Sequence, residues 1–540
     1  MIRTLPRLLA PVSLVLCLCA APAAAAPPAD LEARVNALLD SFGAPGASVA
    51  IVEDGEVTFA RGFGVTDLED PVPVTADTNF AIGSVTKAFT AAGLAILVDD
   101  GKVGWDDPVI DHMPEFRMAD AWITREMTVR DLLVHRSGLG LGAGDLLFVP
   151  RSDLTRADVV ERLGHIPLEN DFRGSYAYDN ILYMVAGRLI EKVSGQDWES
   201  FTTERILRPA GMARATTRND DRGDERLIAD PHARIDGPIR GMGTMERLDD
   251  RLIVSQVAAP AGGIAASAND MARWIGAQLA LGDLPDTGTA DARLFSEAQA
   301  REMWSPVVLM PEPGFPAPLD RTEPLFNTYA LGWNVRDYQG ARVIMHGGGV
   351  YGSITRLILL PEQDVGIFLA TNSEEAGLLT GLQFELIDHY LGIEGNDWPA
   401  AFGKFIDDYF GDAARALAAP ESRPADVGPS RPLSAYAGRY KDPWFGTIAI
   451  TEQDGALKVD YPHWQGVTAT LEHWQYDTFV TRYDEEGFEP AFVTFQLDSE
   501  GAVDRITMKA VSPVADFSWD YRDLLFTPVA SDSAEQGEAP

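Results

Sequence analysis

The chain has 540 residues, of which 46% are hydrophobic, and its 44 basic and 81 acidic residues give a formal net charge of −37 at pH 7. Such a surface repels phosphate backbones and anionic lipids, so it disfavours binding to nucleic acid or to a membrane surface. The length is sufficient for two or three globular domains.

Residues 1–25 have the features of a signal peptide. Arg3 and Arg7 form a basic region, residues 8–21 are largely apolar, and residues 23–25 offer an Ala-x-Ala site for cleavage after Ala25. The apolar run is too short for a membrane-spanning helix. We therefore expect the protein to be periplasmic or secreted, with no membrane span in the mature chain.

The mature chain is also restricted in its chemistry. Both cysteines, Cys17 and Cys19, lie within the predicted signal peptide. The mature chain is therefore expected to lack disulfides and to have no thiolate that could act as nucleophile or metal ligand. The eight histidines do not pair at metal-ligand spacing. We expect neither a metal nor another cofactor.

Residues 26–415 are predicted to form an α+β domain. Apolar residues recur at helical spacing over 31–39, strand-like runs at 47–52 and 57–63 are joined by a hairpin turn, and a long helical pattern begins near Val85. Further elements are predicted as helices at 129–134, 181–193 and 269–281, and as strands at 341–346, 353–360 and 365–371. This order indicates an antiparallel sheet flanked by helices.

A second, smaller domain is predicted after a proline-bearing linker at 416–432. Residues 433–529 contain short alternating runs punctuated by turn signals, which is typical of a small antiparallel β-barrel or meander. The predicted strands are 447–451, 456–461, 468–471, 478–483, 492–497 and 503–509. The acidic segment 530–540 is expected to be disordered.

Ser84 and Lys87 form the first of three motifs that can carry chemistry. A serine hydroxyl is a poor nucleophile until a nearby base takes its proton. At the start of a helix, Lys87 lies one turn after Ser84 on the same face, and burial can lower the pKa of a lysine enough for it to act as that base. A Ser-x-x-Lys match alone is weak, because a capping serine beside an exposed lysine has the same pattern.

Tyr178 and Asn180 form the second motif, directly before the helix predicted at 181–193. A phenol held near a lysine can be kept partly ionised, so Tyr178 can serve first as a base and then as an acid to the leaving group. The amide of Asn180 can bond both Lys87 and a substrate carbonyl.

His346-Gly347-Gly348-Gly349 is the third motif, at the end of a predicted strand. Glycines at this place let a substrate backbone pair with the strand edge. The backbone amides of Ser84 and Gly349 can together form an oxyanion hole.

Ser84-x-x-Lys87, Tyr178-x-Asn180 and His346-x-Gly348, in this order, resemble the motifs of the class C β-lactamase-like serine hydrolases, the S12 peptidase group. This family includes penicillin-binding proteins, D,D-carboxypeptidases, D-aminopeptidases, esterases and β-lactamases. Stretches at 128–139 and 260–264 are similar to it as well, and the likeness covers nearly all of residues 30–395. The resemblance implies a β-lactamase/transpeptidase-like fold with a helical subdomain, and catalysis in the cleft through an acyl-enzyme on Ser84.

Departures from the family pattern argue against an efficient β-lactamase. Family members that are β-lactamases usually carry lysine where this chain has His346, which is similar to the peptidase members. Gly347 replaces a hydroxyl residue that helps to hold a β-lactam carboxylate. We expect Asp179 to add negative charge beside Tyr178 and to disfavour anionic substrates further.

The leading hypothesis is a peptidase that acts on short linear or D-residue-containing peptides. The linker and β-domain are similar to those of peptidase and esterase relatives in which this appendage leans over the cleft or mediates assembly. The layout is also similar to that of exported enzymes that cut short linear peptides, with linearised microcystin as a candidate substrate. The alternatives are a carboxylesterase, a weak β-lactamase, or a catalytically silent penicillin-binding-like binding protein.

Two further interpretations concern the surroundings of the motifs. A Ser-His-Asp triad using His346 is disfavoured, because no Gly-x-Ser-x-Gly sequence surrounds Ser84. His135 is expected to have a structural role in its loop. We expect the pocket walls to come from irregular segments at 141–150, 234–251 and 305–327, with an apolar lining that includes Phe148, Met242, Met245 and the nearby Trp304.

Overall fold

The computed structural model describes residues 26–220, 228–248, 254–284, 292–418, 427–484 and 487–529. The predicted signal peptide and the acidic segment 530–540 lie outside the described residues. Within these ranges, no helix has both the length and the apolar character needed to cross a membrane.

The helices of the described ranges are α1 (Leu31–Phe42), α2 (Thr86–Asp99), α3 (Val109–His112), α4 (Ala121–Glu126), α5 (Arg156–Leu163), α6 (Ile181–Ser194), α7 (Trp198–Thr202), α8 (Ala259–Gly262), α9 (Ala268–Leu279), α10 (Glu297–Met303), α11 (Ala376–Leu391) and α12 (Trp398–Ala418). Local signals explain several of their ends. Helix α1 stops at Gly43, which adopts φ 64°, and α9 starts at a capping box between Ser267 and Asp270. Helix α12 continues three residues beyond the predicted domain boundary at 415.

The first twelve strands are β1 (Gly46–Glu53), β2 (Glu56–Gly64), β3 (Phe80–Ala81), β4 (His232–Arg234), β5 (Met245–Arg247), β6 (Ala265–Ala266), β7 (Val308–Leu309), β8 (Asn327–Tyr329), β9 (Asn334–Tyr338), β10 (Ala341–Val350), β11 (Ser353–Leu360) and β12 (Val365–Thr371). Eight of them form one sheet in the order β2-β1-β12-β11-β10-β9-β8-β7. The other four form two-stranded pairs, β3 with β6 and β4 with β5.

The central strands are buried on both faces of this sheet. All eight residues of β1 are buried, including Ser48 and Glu53, so burial does not alternate along the strand. Val49 and Ile51 pack into a core with α1, α11 and α12, whereas Ala50 and Val52 on the other face pack into a core that contains α2, α6 and α9. The predicted α+β domain is confirmed, with helices on both sides of an antiparallel sheet.

Two local predictions differ from the structure. The segment predicted as a helix at 129–134 is a 3₁₀ turn, Arg130–Leu133. The glycine motif does not follow a strand but lies within one, since β10 extends to Val350 and pairs with β11 over its whole second half. Pairing with β11 therefore extends β10 beyond the end that the local sequence indicates.

The C-terminal region forms a closed barrel of β13 (Gly438–Asp442), β14 (Gly446–Gln453), β15 (Ala456–Asp460), β16 (Thr468–Gln475), β17 (Thr478–Tyr483), β18 (Ala491–Leu497), β19 (Val503–Ala510) and β20 (Leu525–Pro528). The predicted β-barrel is confirmed, although only six of its eight strands were predicted from the sequence. The two others, β13 and β20, pair with each other at Tyr440 and Pro528 to close the barrel. They are the first and the last strand of the barrel along the sequence, so no local sequence pattern indicates that they pair.

The barrel is docked on the first domain beside residues 144–153. Arg162 of α5 donates hydrogen bonds of 2.7 and 2.9 Å to the carbonyls of Trp444 and Phe445. Trp464, which is buried, donates from Nε1 to the carbonyl of Leu146 at 2.9 Å. Buried tryptophan contacts with satisfied polar atoms hold two elements in one relative position.

Candidate active site

Ser84 lies at the mouth of a cavity, in a 3₁₀ turn that leads directly into α2. Helix α2 is buried almost along its full length, so Lys87 in its first turn is fully enclosed. Its ammonium nitrogen donates to Ser84 Oγ at 3.0 Å. Burial lowers the pKa of Lys87 from 10.5 to about 7. A neutral amine is thus available near neutral pH, one turn from the hydroxyl.

Lys87 Nζ has two other partners, Asn180 Oδ1 at 2.7 Å and the carbonyl of Ala261 at 3.0 Å. Both of these oxygens can only accept hydrogen bonds. When Lys87 is neutral, they take its two N–H groups, and the lone pair is left facing the hydroxyl of Ser84. This arrangement suits removal of the Ser84 proton. The stretch at 260–264 contributes to it through the carbonyl of Ala261.

The orientation of Asn180 is set by Asp145. Asn180 Nδ2 donates to Asp145 Oδ2 at 2.9 Å, which keeps Oδ1 turned toward Lys87. Asp145 is fully buried, and burial raises its pKa, while the hydrogen bonds from Asn180 and Ser518 and the charge of Lys87 lower it. A second donor to Asp145 Oδ2 is the hydroxyl of Ser518, at 2.8 Å. Sequence reasoning missed both residues, and 373 positions separate them along the chain.

Tyr178 is brought to the same place, with its ring 4.8 Å from Lys87 Nζ and its hydroxyl facing Ser84. Burial raises the pKa of Tyr178 well above its ordinary value, although the contact with Ser84 lowers it in part. The expectation of a partly ionised phenol is therefore wrong. Burial thus favours a neutral phenol that can donate a proton, and Lys87 is the group with a basic lone pair.

His346 also lines the cavity, but its hydrogen bonds do not leave a nitrogen free to act as a base. Its Nδ1 lies 2.6 Å from the carbonyl of Gly347, so this nitrogen carries the proton. Its Nε2 then accepts from the hydroxyl of Tyr329 at 2.7 Å. Burial, together with the charge of Lys87, lowers the pKa of His346 to about 3. The imidazole stays neutral with both nitrogens occupied, which excludes the Ser-His-Asp interpretation.

The glycine motif packs directly on the turn that carries Ser84. A Cβ atom at Gly83, which has φ +53°, would lie 2.9 Å from the amide nitrogen of Gly349. The β10–β11 hairpin closes at Val350 and Ser353, and the alternation of an antiparallel ladder then directs the Gly349 amide away from β11. The amides of Ser84 and Gly349 are placed to form an oxyanion hole.

The position of Gly348 differs from the one expected for a residue that contacts substrate. It does not line the cavity, and a Cβ atom there would lie 2.0 Å from the carbonyl oxygen of Ile82. Thr355 of β11 donates to that same oxygen at 2.8 Å. Gly348 therefore allows the Ser84 turn to approach β10 and β11 closely.

Asp179 likewise does not face the cavity. It is buried, its Oδ2 accepts from Ser137 at 3.0 Å, and its backbone amide donates to His135 Nδ1 at 3.2 Å. The ring of His135 packs 4.2 Å from that of Tyr178. The predicted effect of Asp179 on anionic substrates therefore does not come from direct contact; its charge acts on Lys87, where it raises the pKa against the larger effect of burial.

Residues 31–387 match the family described as Beta-lactamase, which is well over half of the chain. The chain belongs to the beta-lactamase family. It is a serine hydrolase of this family, and the three motifs identified in the sequence meet in one cavity. Residues 422–528, which include the barrel, match a second family described only as a domain of unknown function, DUF3471.

Relatives of known name agree with this membership. The unguisins hydrolase of Aspergillus violaceofuscus is 30% identical over 485 residues, covering 84% of this chain and 82% of the relative. Penicillin-binding protein 4 of Amycolatopsis lactamdurans is 29% identical and covers 76% of this chain and 96% of its own. The solved structure of the octameric penicillin-binding protein homologue from Pyrococcus abyssi has a TM-score of 0.56 at 20% identity, with 92% and 99% of the two chains covered. This last likeness concerns the fold.

The cavity of this beta-lactamase-family hydrolase has a volume of about 560 Å³. Two of the three predicted wall segments contribute, through Phe148 and Arg240 among others, whereas the segment at 305–327 does not. Met242, Met245 and Trp304 do not line it. The barrel supplies a wall that the sequence did not indicate, which consists of Glu489, Val514, Asp516, Phe517 and Ser518.

One end of the cavity is acidic. Arg240 forms an ion pair with Glu374 at 2.6 Å, and two further carboxyl groups, Glu489 and Asp516, lie on the same wall. Burial raises the pKa of both Glu489 and Asp516. An additional anion at this end would meet three carboxyl groups and one guanidinium.

Across the part of the chain that the structure describes, no cluster of three histidine, aspartate or glutamate side chains could hold a metal ion.

Proposed function

We propose that this hydrolase cleaves amide bonds in short linear or D-residue-containing peptides through an acyl-enzyme on Ser84. The observation that carries the proposal is the enclosed amine of Lys87, whose lone pair faces Ser84 Oγ at 3.0 Å because Asn180 and Ala261 occupy its N–H groups. This geometry belongs to an activated nucleophile.

The chemical steps follow from these positions. Ser84 Oγ attacks the substrate carbonyl carbon while its proton passes to Lys87, and the oxyanion is held by the amides of Ser84 and Gly349. The neutral phenol of Tyr178 gives its proton to the leaving amine and regains one from the Lys87 ammonium. A water then attacks the acyl-enzyme with Lys87 as base. Ser84 regains its proton, and the acid product leaves.

The free edge of β10 supports a peptide substrate. Strand β9 pairs with β10 only as far as Met345, so the backbone amides of Gly347 and Gly349 lie on an edge without a partner strand, although the carbonyl of Gly347 accepts from His346. An extended substrate backbone can add to such an edge, with side chains set by the cavity walls. His346 and Asn180 line the same cavity and would orient the substrate.

The acidic end of the cavity supports a preference among peptides. Glu374, Glu489 and Asp516 favour a neutral or cationic group at that end and disfavour a carboxylate. This agrees with the predicted weakness toward β-lactams, which carry a carboxylate, and these three carboxyl groups line the cavity, whereas Asp179 does not. The relative from Aspergillus violaceofuscus, 30% identical, is named a hydrolase of unguisins.

A carboxylesterase is the second candidate. The same acyl-enzyme chemistry serves esters, and an alkoxide leaves more readily than an amine, so an ester depends less on proton donation by Tyr178. A silent binding protein is disfavoured, because burying the amine of Lys87 is costly and serves no purpose in binding alone.

A substrate panel tests the proposal with wild type and Ser84→Ala. It contains matched peptides with L- or D-residues at the cleaved bond, linearised microcystin, a short-chain ester and a cephalosporin. We expect a peptide to have the highest kcat/KM and Ser84→Ala to be inactive. Faster turnover of the ester than of every peptide would favour the esterase. A chain that turns over nothing, and whose Ser84 resists a fluorophosphonate, would overturn the enzyme proposal.

We further propose that the protein is exported. The support is the basic and apolar pattern of residues 1–25. Expression of the full chain in a bacterium, followed by N-terminal sequencing of the protein released from the periplasm, should give Ala26 as the first residue. An intact Met1 in the cytoplasmic fraction alone would contradict export.

A further inference from the structure

A chain of hydrogen bonds connects the barrel with the nucleophile. Ser518 Oγ donates to Asp145 Oδ2 at 2.8 Å, and Asn180 Nδ2 donates to the same oxygen at 2.9 Å. Asn180 Oδ1 accepts from Lys87 Nζ at 2.7 Å, and Lys87 lies 3.0 Å from Ser84 Oγ. Asp145 is fully buried and Ser518 is 9% exposed, so water competes little for these bonds.

The direction of each bond in this chain matters for Lys87. The oxygen and nitrogen of an asparagine amide exchange places on a half-turn, and only one arrangement leaves an acceptor toward Lys87. Asp145 Oδ2 selects that arrangement because it accepts from Nδ2. Ser518 donates to the same oxygen and thereby holds the carboxyl group of Asp145 in the plane that Asn180 requires.

The segment that carries Ser518 is fixed on the first domain by contacts of its own. The ring of Phe517 packs against that of Tyr178 at 5.9 Å. Arg522 donates to the carbonyl of Leu141 at 3.0 Å, and the amide of Ser518 donates to Asp516 Oδ1 at 3.0 Å. The hydroxyl of Ser518 is therefore presented to Asp145 by packing and by several bonds.

We propose that Ser518 is a positioning residue for Lys87, acting through Asp145 and Asn180, so that the barrel completes the active site in addition to covering it. The inference rests on the proposed roles of Ser84 and Lys87. It assigns the C-terminal domain a part in the chemistry, since a chain without a docked barrel would leave Asp145 with one donor fewer.

The charged surroundings decide the direction of the expected pH effect. The ionisable groups that act on Lys87 are Asp145, Asp179, His135, His346 and the rings of Tyr178 and Tyr183. Those that act on Asp145 are Lys87, Asp516, Asp520 and Tyr178. The hydrogen bond from Ser518 lowers the pKa of Asp145, and a charged Asp145 raises the pKa of Lys87. Loss of the Ser518 hydroxyl should therefore make Lys87 neutral at lower pH.

The experiment measures the rate of Ser84 labelling by a fluorophosphonate as a function of pH, in the full-length protein. Four proteins are compared: wild type, Ser518→Ala, Ser518→Thr, which keeps the hydroxyl, and Ser512→Ala. Ser512 lies in the same barrel segment, and its hydroxyl accepts from the local amide of Val514 at 3.2 Å. Circular dichroism and thermal unfolding show whether each variant is folded.

For Ser518→Ala, we expect the labelling rate at its high-pH plateau to fall about 10-fold, the size of a lost hydrogen bond to an ionisable group. The midpoint of its pH dependence should move to lower pH. Ser518→Thr and Ser512→Ala should keep the wild-type midpoint. If Ser518→Ala does not fold, Asp145→Asn replaces it, and the same downward movement of the midpoint is expected.

The outcomes separate this inference from the proposed function. A folded wild type whose Ser84 is not labelled at any pH would refute the proposed function. Labelling of wild type with an unmoved midpoint in both Ser518→Ala and Asp145→Asn would refute the positioning role alone. A lower plateau with an unmoved midpoint would also refute the positioning role, because it would show that Ser518 is only a structural contact.

Discussion

The hydroxyl of Tyr329 donates to His346 Nε2 at 2.7 Å, while His346 Nδ1 donates to the carbonyl of Gly347 at 2.6 Å. These two bonds occupy the whole imidazole. They separate this site from one in which a histidine activates serine, and they agree with Lys87 as the base of the proposed mechanism. His346, which is similar to the histidine of the peptidase members of the family, is therefore expected to act as a neutral polar group that shapes the cavity.

Replacement of His346 tests this assignment. In His346→Ala, we expect kcat/KM to fall roughly 10-fold through poorer substrate placement, while the acid limb of the pH profile stays near pH 7, the pKa of Lys87. A pH series of kcat/KM measures both. Tyr329→Phe is the companion variant and should also keep the limb. Disappearance of the limb in His346→Ala would identify the histidine as the base.

Lys87→Met tests the cost of the buried amine. Burial lowers the pKa of Lys87 from 10.5 to about 7, so between these values the unfolded chain binds a proton that the native protein does not. Native stability due to Lys87 therefore rises with pH across this window. We expect the difference in unfolding free energy, wild type minus Lys87→Met, to increase with pH by on the order of a few kcal/mol.

Urea denaturation at about pH 7 and about pH 10 measures that difference. The matched control is Lys404→Met, whose exposed side chain in α12 has 74% of its surface accessible. It should show no such increase. Equal pH dependence in the two variants would mean that Lys87 is not strongly perturbed.

Gly83→Ala tests the contact between the Ser84 turn and the glycine motif. An added methyl would meet the amide nitrogen of Gly349 at 2.9 Å in a left-handed backbone. We expect a loss of roughly 2–4 kcal/mol in unfolding free energy and a fall of about 100-fold in Ser84 labelling as the oxyanion hole opens.

Gly101→Ala, at the opposite end of α2, is the control for Gly83→Ala. Its φ is +68°, and an added Cβ would have no neighbour within 4 Å, so it should lose about 1 kcal/mol and label normally. Similar losses of labelling in both variants would show that the close approach to Gly349 is unimportant.

Asp516→Asn tests the acidic end of the cavity. Removing this carboxylate should raise the ratio of kcat/KM for a peptide with a free C-terminal carboxylate to that for its amidated counterpart, by about fivefold. Oδ1 remains as an acceptor for the Ser518 amide, so the fold is retained. Asp454→Asn, in an exposed barrel turn, should leave the ratio unchanged. If both variants give the wild-type ratio, the wall does not select against anions.

Local patterns in the sequence were sufficient for much of this molecule. The helix after Ser84, the strands at 353–360 and 365–371, and the barrel follow from apolar periodicity and turn residues, which are short-range properties. The residue types and order of the three motifs placed Ser84, Lys87, Tyr178 and His346 in one site, where the structure also has them.

What the sequence could not determine depends on contacts between distant segments. The ionisation of Tyr178 and His346 is decided by burial and by partners such as Tyr329, and burial is a property of the packed chain. The direction of Asp179, the close approach that requires Gly348, and the pairing of β13 with β20 arise in the same way. Ser518 lies between Phe517 and Trp519 in a sequence without a recognisable motif, 373 positions from Asp145. Only the docking of the barrel makes the two neighbours, because a hydrogen bond depends on distance in space and not along the chain.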